Sequence, residues 1–291
     1  MKPAPFEYVD PRTVDETLEH LRQYGDDSKV LAGGQSLMPM LNLRLARPAA
    51  LVDVNRVAEL DRSRQDIGML RLGALVRQHA VERSTRDRLP VLAAALRLVG
   101  HGAIRNRGTI AGSIAHADPA AELPALLLAL DGSVVARSTR GERVIAARNF
   151  FKGPLATALA ADELVTETRW PVPAPTTGWG FHEVARRHGD FALVGAFALI
   201  AVAEGMVQRA AVAVFGAGPT PVRVPETERA LVKQSPTAAR LAEAAKSVAA
   251  AIDPADDLHA PASYRRRVAV TLVARALADA VSRATGNGPR P

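Results

Sequence analysis

Apolar positions in this chain recur with two distinct periods, and the places where both periods fail are as informative as the places where they hold. Near the start, Val14, Leu18 and Leu21 fall at helical spacing behind Thr13-Val14-Asp15-Glu16, a capping-box sequence whose hydroxyl and carboxylate suit free helix amides. Gly25 can end that helix. Lys29-Val30-Leu31 and residues 50–54 read as short strands, with Ala32-Gly33-Gly34-Gln35-Ser36 as a turn between them. Helix, strand, glycine turn and strand together predict a small α/β unit over residues 1–55.

From residue 67 to about 173 the pattern changes to short strands with one or two helices: residues 89–99 helical, 133–136 and 164–170 extended. Pro171-Val172-Pro173-Ala174-Pro175, followed by Thr176-Thr177-Gly178, is the best linker candidate. Beyond it, residues 191–203 and 206–215 predict two long strands joined at Glu204-Gly205, a hairpin signal. Helical patterns over 226–233, 237–251 and 264–283 close the chain, and residues 286–291 are expected to fray. The resulting expectation is an α+β protein in three parts, 1–55, 56–177 and 178–291, the last being antiparallel sheet followed by helices.

One passage keeps neither period. Residues 100–122, GHGAIRNRGTIAGSIAHADPAAE, hold four glycines, six alanines, two arginines and two histidines, and predict an irregular small-residue segment. It shares a property with Leu31-Ala-Gly-Gly-Gln-Ser-Leu37: a turn of small residues beside a hydroxyl, following an apolar element. Glycine admits positive φ and lets a ligand approach without meeting a Cβ, and successive amides in such a turn form an anion nest. Two such turns closing on one pyrophosphate would need no lysine, and neither segment contains one. The common nucleotide signatures G-x-G-x-x-G and G-x-x-x-x-G-K-[ST] are absent. Taken alone, Ala32-Gly33-Gly34 is better read as a tight structural turn.

Composition narrows the chemistry. The 291 residues are 48% apolar and 23% charged, an ordinary globular balance. With no cysteine, this chain holds no disulfide, thiolate nucleophile or iron–sulfur cluster, which agrees with a cytoplasmic location. The N-terminal residues lack the apolar run of a secretory signal, and the apolar stretch 123–130 is too short to span a bilayer. A net charge of +7 raises nucleic acid as a partner, but aromatics are 4% and the arginines are dispersed. The densest cluster, Tyr264-Arg265-Arg266-Arg267, opens an apolar helix, so no nucleic acid is expected and an acidic ligand or partner subunit explains the charge as well.

The seven histidines form no H-E-x-x-H, so no metal site is expected. His101 and His116 read equally as ligand contacts or ordinary loop residues. Asp118 and Glu122 read as helix N-terminal charges favoured by the macrodipole, rather than as an acid/base pair. Arg105 and Arg107 attract phosphates or are simply solvated, and Arg186-Arg187 suit a subunit face or salt bridges.

Six stretches, in order along nearly the whole chain, carry a family resemblance. They are Ala32 to Leu37; Ile104 to Glu122; FHEVARRHGDFALV from Phe181 to Val194; Phe215-Gly-Ala-Gly-Pro-Thr-Pro-Val-Arg223; Asp162-Glu-Leu-Val165; and Tyr264-Arg265-Arg266. The chain resembles the FAD-binding medium subunit of the molybdenum hydroxylases. The resemblance implies FAD wrapped between the N-terminal unit and the middle unit. It would contact Val30, Leu31, Ala32, Gly33, Gly34, Gln35, Ser36 and Leu37, then Val99, Gly100, Thr109, Ala111, Gly112, Ser113, His116 and Asp118. Glu122 falls where the family places an acid that accepts from the nucleotide, and Val165 and Phe191 fall near the flavin ring.

Ala111 stands where glycine is common, Gln35 at a variable position, and His182 or Glu183 where several relatives have lysine. The resemblance implies an electron-transfer oxidoreductase subunit with no catalytic acid or base of its own. A large molybdenum-cofactor subunit and a small subunit with two [2Fe–2S] clusters would be its partners, in a dimer of heterotrimers. A stand-alone FAD oxidoreductase and a cofactor-free scaffold are the alternatives, the intact glycines 33, 34 and 112 standing against the second.

Overall fold

The computed structural model describes residues 2–286; the tail expected to fray, apart from Gly286, lies outside them. The N-terminal part runs β1 (Glu7–Val9), α1 (Val14–Tyr24), β2 (Ser28–Leu31), α2 (Leu37–Asn42) and β3 (Ala50–Asp53). Its three strands form a parallel sheet in the order β1-β3-β2. The capping box forms as expected: the Glu16 amide donates to Thr13 Oγ1 at 3.1 Å. The Glu16 carboxylate accepts from the Arg12 amide at 2.7 Å, one residue before the cap. Gly25 ends the helix at φ 51°.

The middle part holds β4 (Ser63–Asp66), β5 (Met69–Gly73), α3 (Gln78–Ser84), α4 (Pro90–Leu98), α5 (Gly102–Arg107), α6 (Ile110–His116) and α7 (Glu122–Ala129). It continues with β6 (Ser133–Ser138), β7 (Gly141–Ala146), α8 (Ala147–Phe150), β8 (Phe151–Gly153), β9 (Ala156–Thr157) and β10 (Leu164–Pro171). Five of these strands make an antiparallel sheet, β4-β5-β10-β6-β7. Helix α7 is buried along its whole length, so its apolar residues have no outward face to vary.

The last part comprises β11 (Thr177–Ala185), β12 (Ala192–Ala203), β13 (Met206–Phe215), β14 (Val222–Arg223), α9 (Pro225–Leu231), α10 (Ala238–Ala245), α11 (Val248–Ala251) and α12 (Ala262–Ala284). The expected hairpin is present, with Glu204 at φ 53° and Gly205 at φ 72°. Two positive φ values make the primed kind of turn that matches strand twist. Both faces of this sheet are covered, which is why β12 reads as an unbroken apolar run. Ala196, Ala198 and Ile200 pack with α10 and α12, while Phe197 and Leu199 join the core of the middle part.

Three expectations are corrected here, the first being that the middle part holds six helices, α3 to α8, where one or two were expected. The irregular reading of residues 100–122 fails, because α5, α6 and the start of α7 occupy most of that passage. The linker also ends early, since its Thr177 and Gly178 open β11. Among the described residues no helix is long and apolar enough to cross a membrane.

Candidate cofactor site

The two glycine segments touch through their backbones. Strand β2 delivers Val30 and Leu31, the chain turns through Ala32 to Ser36 with Gly34 at φ 72°, and Leu37 opens α2. A Cβ on Gly33 would lie 2.6 Å from the Arg107 carbonyl oxygen and 2.7 Å from Gly108 Cα. Only a residue with no side chain lets these loops meet. Side chains hold the turn's carbonyls inward: Asn55 Nδ2 donates to Ala32 O at 2.9 Å and Gln35 Nε2 to Gly33 O at 3.0 Å. The amides of Gly33, Gly34, Gln35 and Ser36 have no acceptor among the described residues.

The second segment is fixed by its own cap. Thr109 Oγ1 accepts from the Gly112 amide at 2.9 Å, and the Ile110 amide donates to Val76 O at 3.1 Å. Ile110, Ala111 and Ile114 then point into the core. That leaves Gly112, Ser113 and His116 on the half-buried opposite face of α6. Ala117, left-handed at φ 52°, turns the chain away. Asp118 Oδ1 then accepts from the Ala120 amide at 2.8 Å, and Glu122 starts α7.

A residue missed in the sequence ties both segments together. Arg77 donates through Nη2 to Asn55 Oδ1 at 2.6 Å and through Nη1 to the Arg107 carbonyl. Burial, and then the neighbouring Arg107 charge, lower its pKa below the ordinary arginine value. Neither Arg77 nor Asn55 belongs to a glycine motif; the only signal was Asn55 two residues after Asp53, whose Oδ1 takes the Asn55 amide at 2.9 Å.

Arg105 serves neither phosphate attraction nor solvation. It donates to Glu82 Oε2 at 2.9 Å and to the carbonyls of Val99 and Gly100, both at 3.1 Å. It thereby closes the C-terminus of α4 and sets Gly100 at φ 52°. Against Gly100 lies the β11–β12 loop, where a Cβ on Gly189 would meet the His101 ring at 2.8 Å and Gly100 O at 3.1 Å. Phe191, 61% exposed, follows two residues after this contact. Arg186 and Arg187 are exposed in that loop, Arg186 within 3.4 Å of His259. Val165 is buried at the bulge of β10, and Ala111 is buried too, so both contribute core packing.

The remaining donors are free. Neither the Ser36 nor the Ser113 hydroxyl has a partner among the described residues, and residues 30–37 and 99–116 contain no acid. Free amides, free hydroxyls and a face of small side chains suit an anionic diphosphate. Burial depresses the His116 pKa below the usual histidine value, against an opposing pull from Asp118.

Glu122 departs from the macrodipole reading. It is 5% exposed, and burial, then the proximity of Glu183, push its pKa up to about 8. Burial alone raises Glu183 to about 7, and its Oε2 is buried without a partner. A carboxyl whose folded pKa is raised is most stabilising when protonated in both states, below its unfolded value. That contribution is lost as pH rises toward the folded value. The thermal midpoint should therefore fall by about 5 °C or more between pH 6 and pH 8.5, and Glu122→Gln should flatten that decline. Calorimetric scans of both proteins across this range check it.

The comparisons with known proteins agree with this geometry. Residues 4–173 match the family described as the FAD binding domain in molybdopterin dehydrogenase. Residues 179–280 match the CO dehydrogenase flavoprotein C-terminal domain. Subunit alpha of the 6-hydroxypseudooxynicotine dehydrogenase complex of Paenarthrobacter nicotinovorans is 41% identical, over 98% of this chain and 97% of its own. The carbon monoxide dehydrogenase medium chain of Hydrogenophaga pseudoflava is 36% identical over 97% of this chain and 99% of its own. A solved structure of that dehydrogenase, in a form lacking the Mo-pyranopterin moiety, superposes with a TM-score of 0.95 over 97% of this chain and 99% of the other, at 37% identity. Quinoline 2-oxidoreductase from Pseudomonas putida 86 gives 0.92 over 99% of both chains at 34% identity. The chain belongs to the FAD-binding medium subunits of the molybdenum hydroxylases, and is an oxidoreductase subunit of that family.

Proposed function

We propose that this chain seats FAD where its two glycine segments meet and relays electrons through it. The observation that carries the reading is the Gly33 contact with residues 107–109, which sets unpaired amides beside the open face of α6. Val30 to Leu37 hold one side of the diphosphate, and Thr109, Gly112 and Ser113 the other. His116, Asp118 and Glu122 continue the nucleotide contacts, Val99 and Gly100 border the ring, and Phe191 covers one of its faces. Ala111 and Val165 support this surface from the core behind it.

Bound flavin supplies the redox chemistry; the protein sets its position, solvent access and surrounding charge. Electrons arrive from [2Fe–2S] clusters on a small partner subunit, which agrees with the absence of cysteine here. They leave to an external acceptor, while a large subunit carries the molybdenum cofactor. A dimer of heterotrimers is the assembly, and 1–55, 56–177 and 178–291 are the working divisions of the chain.

The chain purified alone should carry, or take up, one equivalent of FAD, released on denaturation and identified by chromatography. Expressed with the neighbouring genes of its own genome, it should co-purify with two further chains, one containing iron and one molybdenum. A folded chain that refuses added FAD would sink this reading.

A further inference from the structure

Glu122 and Glu183 come from different layers of the fold: Glu122 is buried, Glu183 Oε2 is buried without a partner, and the charge of Glu183 acts on Glu122. Glu122 begins α7 in the middle part, and Glu183 lies on β11, on the strand face that also carries Phe181 toward the middle core. Neither acid belongs to an ion pair among the described residues. The ionisable groups around them do not change that. Asp118, in the turn before α7, adds further negative charge, and burial disfavours the charged form of His116 on α6.

The buried Arg265 of α12, at the same end of the sheet, donates to the carbonyls of Leu193 and Gly216 and pairs with Asp257 rather than with either acid. Arg97 of α4 and Arg148 of α8 are exposed, and residues 192–203 of β12 contain no ionisable side chain. Arg209 of β13 pairs with Asp131, and Arg223 of β14 with Asp131 and Glu228, both at the far end of α7. Asp279 and Arg283 of α12 approach β11 together with His182, on its opposite face. Two buried carboxyls, one of which feels the charge of the other, disfavour ionising together, so the proton is held more tightly on Glu122 once Glu183 is charged.

The seam between these layers is also where the proposed flavin contacts converge. The chain enters α7 from the open face of α6 through Asp118, and β11 leads directly into the loop that seats Gly189 on Gly100 and carries Phe191. We infer that Glu122 and Glu183 act as one proton-holding pair on the cofactor side of this seam, so that seating FAD takes up a proton. The inference rests on the flavin reading above. A flavin nucleotide laid over the seam removes water from the half-buried Glu183 and brings an anionic diphosphate nearby. Both effects favour the protonated pair, and by linkage cofactor affinity falls as the pair ionises.

The test is FAD binding by the full chain stripped of cofactor, followed by flavin fluorescence between pH 6 and pH 9. Calorimetry in two buffers of different ionisation enthalpy counts the protons. The wild-type dissociation constant should rise above pH 7, by at most about tenfold per pH unit, with net proton uptake on binding. Glu183→Gln should flatten this rise while binding FAD at pH 6 about as well as wild type. Glu122→Gln, tested independently, should flatten it too, which guards against one variant folding poorly. Affinity independent of pH in the wild type, or an unchanged rise in both variants, overturns the inference and leaves the flavin reading standing. Failure to bind FAD at any pH overturns both.

Discussion

Replacing Gly33 with valine should abolish tight FAD binding and destabilise the fold, and of the site substitutions it should cost the most affinity. The added carbon would overlap the Arg107 carbonyl and Gly108 Cα, neither of which is the movable end of a side chain. Relief requires the two glycine segments to separate, against the Arg77 bonds that draw Asn55 and Arg107 together. Overpacking of this kind costs about 1–3 kcal/mol of stability. If the loops rest apart in the free protein, binding must close them against about 3 kcal/mol of strain, a loss of roughly 100-fold in affinity. Gly102→Ala is the control, since nothing lies within 4 Å of its added carbon and its φ is not positive. Equal FAD affinity in the two variants, by fluorescence titration, would mean that the meeting of the segments is not what holds the cofactor.

That contact marks the limit of what could be read from residue order. The hairpin at Glu204-Gly205 was legible because both strands are long and mostly buried on both faces, so apolar residues dominate them and the break is polar. Helix α1 was legible from spacing and its capping residues, and α12 from its helical pattern. Helices α5 and α6 were not, because their short turns are built from glycine, alanine and arginine. Only Ile110, Ala111 and Ile114 mark a core side in α6, too few to set a period. The glycine segments themselves were visible as motifs, but nothing in the order of residues says that one rests on the other. Arg77, Asn55 and Arg105 are ordinary residues whose roles follow from partners 5 to 30 positions away. Glu183 was marked only as a departure from the family pattern, because nothing in the order of residues sets it beside Glu122.

Two glycines of β11 carry the second large effect. Gly180 faces α12 so closely that a Cβ there would sit 1.9 Å from the Ala276 carbonyl oxygen, and one on Gly178 would sit 1.8 Å from that of Ala280. Neither position has a positive φ, so the requirement is space for a helix rather than an unusual backbone. Gly180→Val must push the strand off the helix or the helix off the sheet, and α12 supplies Ala269, Leu272, Val273, Ala276 and Leu277 to the core behind that sheet. Stability should fall by about 3 kcal/mol, lowering the thermal midpoint by about 6–12 °C. Gly153→Ala, where the nearest neighbour of the added carbon is 3.9 Å away, should leave the midpoint almost unchanged. The consequence reaches the cofactor, because the strand that leaves α12 is the one that carries Glu183 and leads to Gly189 and Phe191. Gly180→Val protein that still folds at low temperature should therefore bind FAD more weakly and lose the pH dependence of that binding. A variant with a lowered midpoint but wild-type affinity and pH profile would show that β11 holds its place against the middle part without α12 behind it.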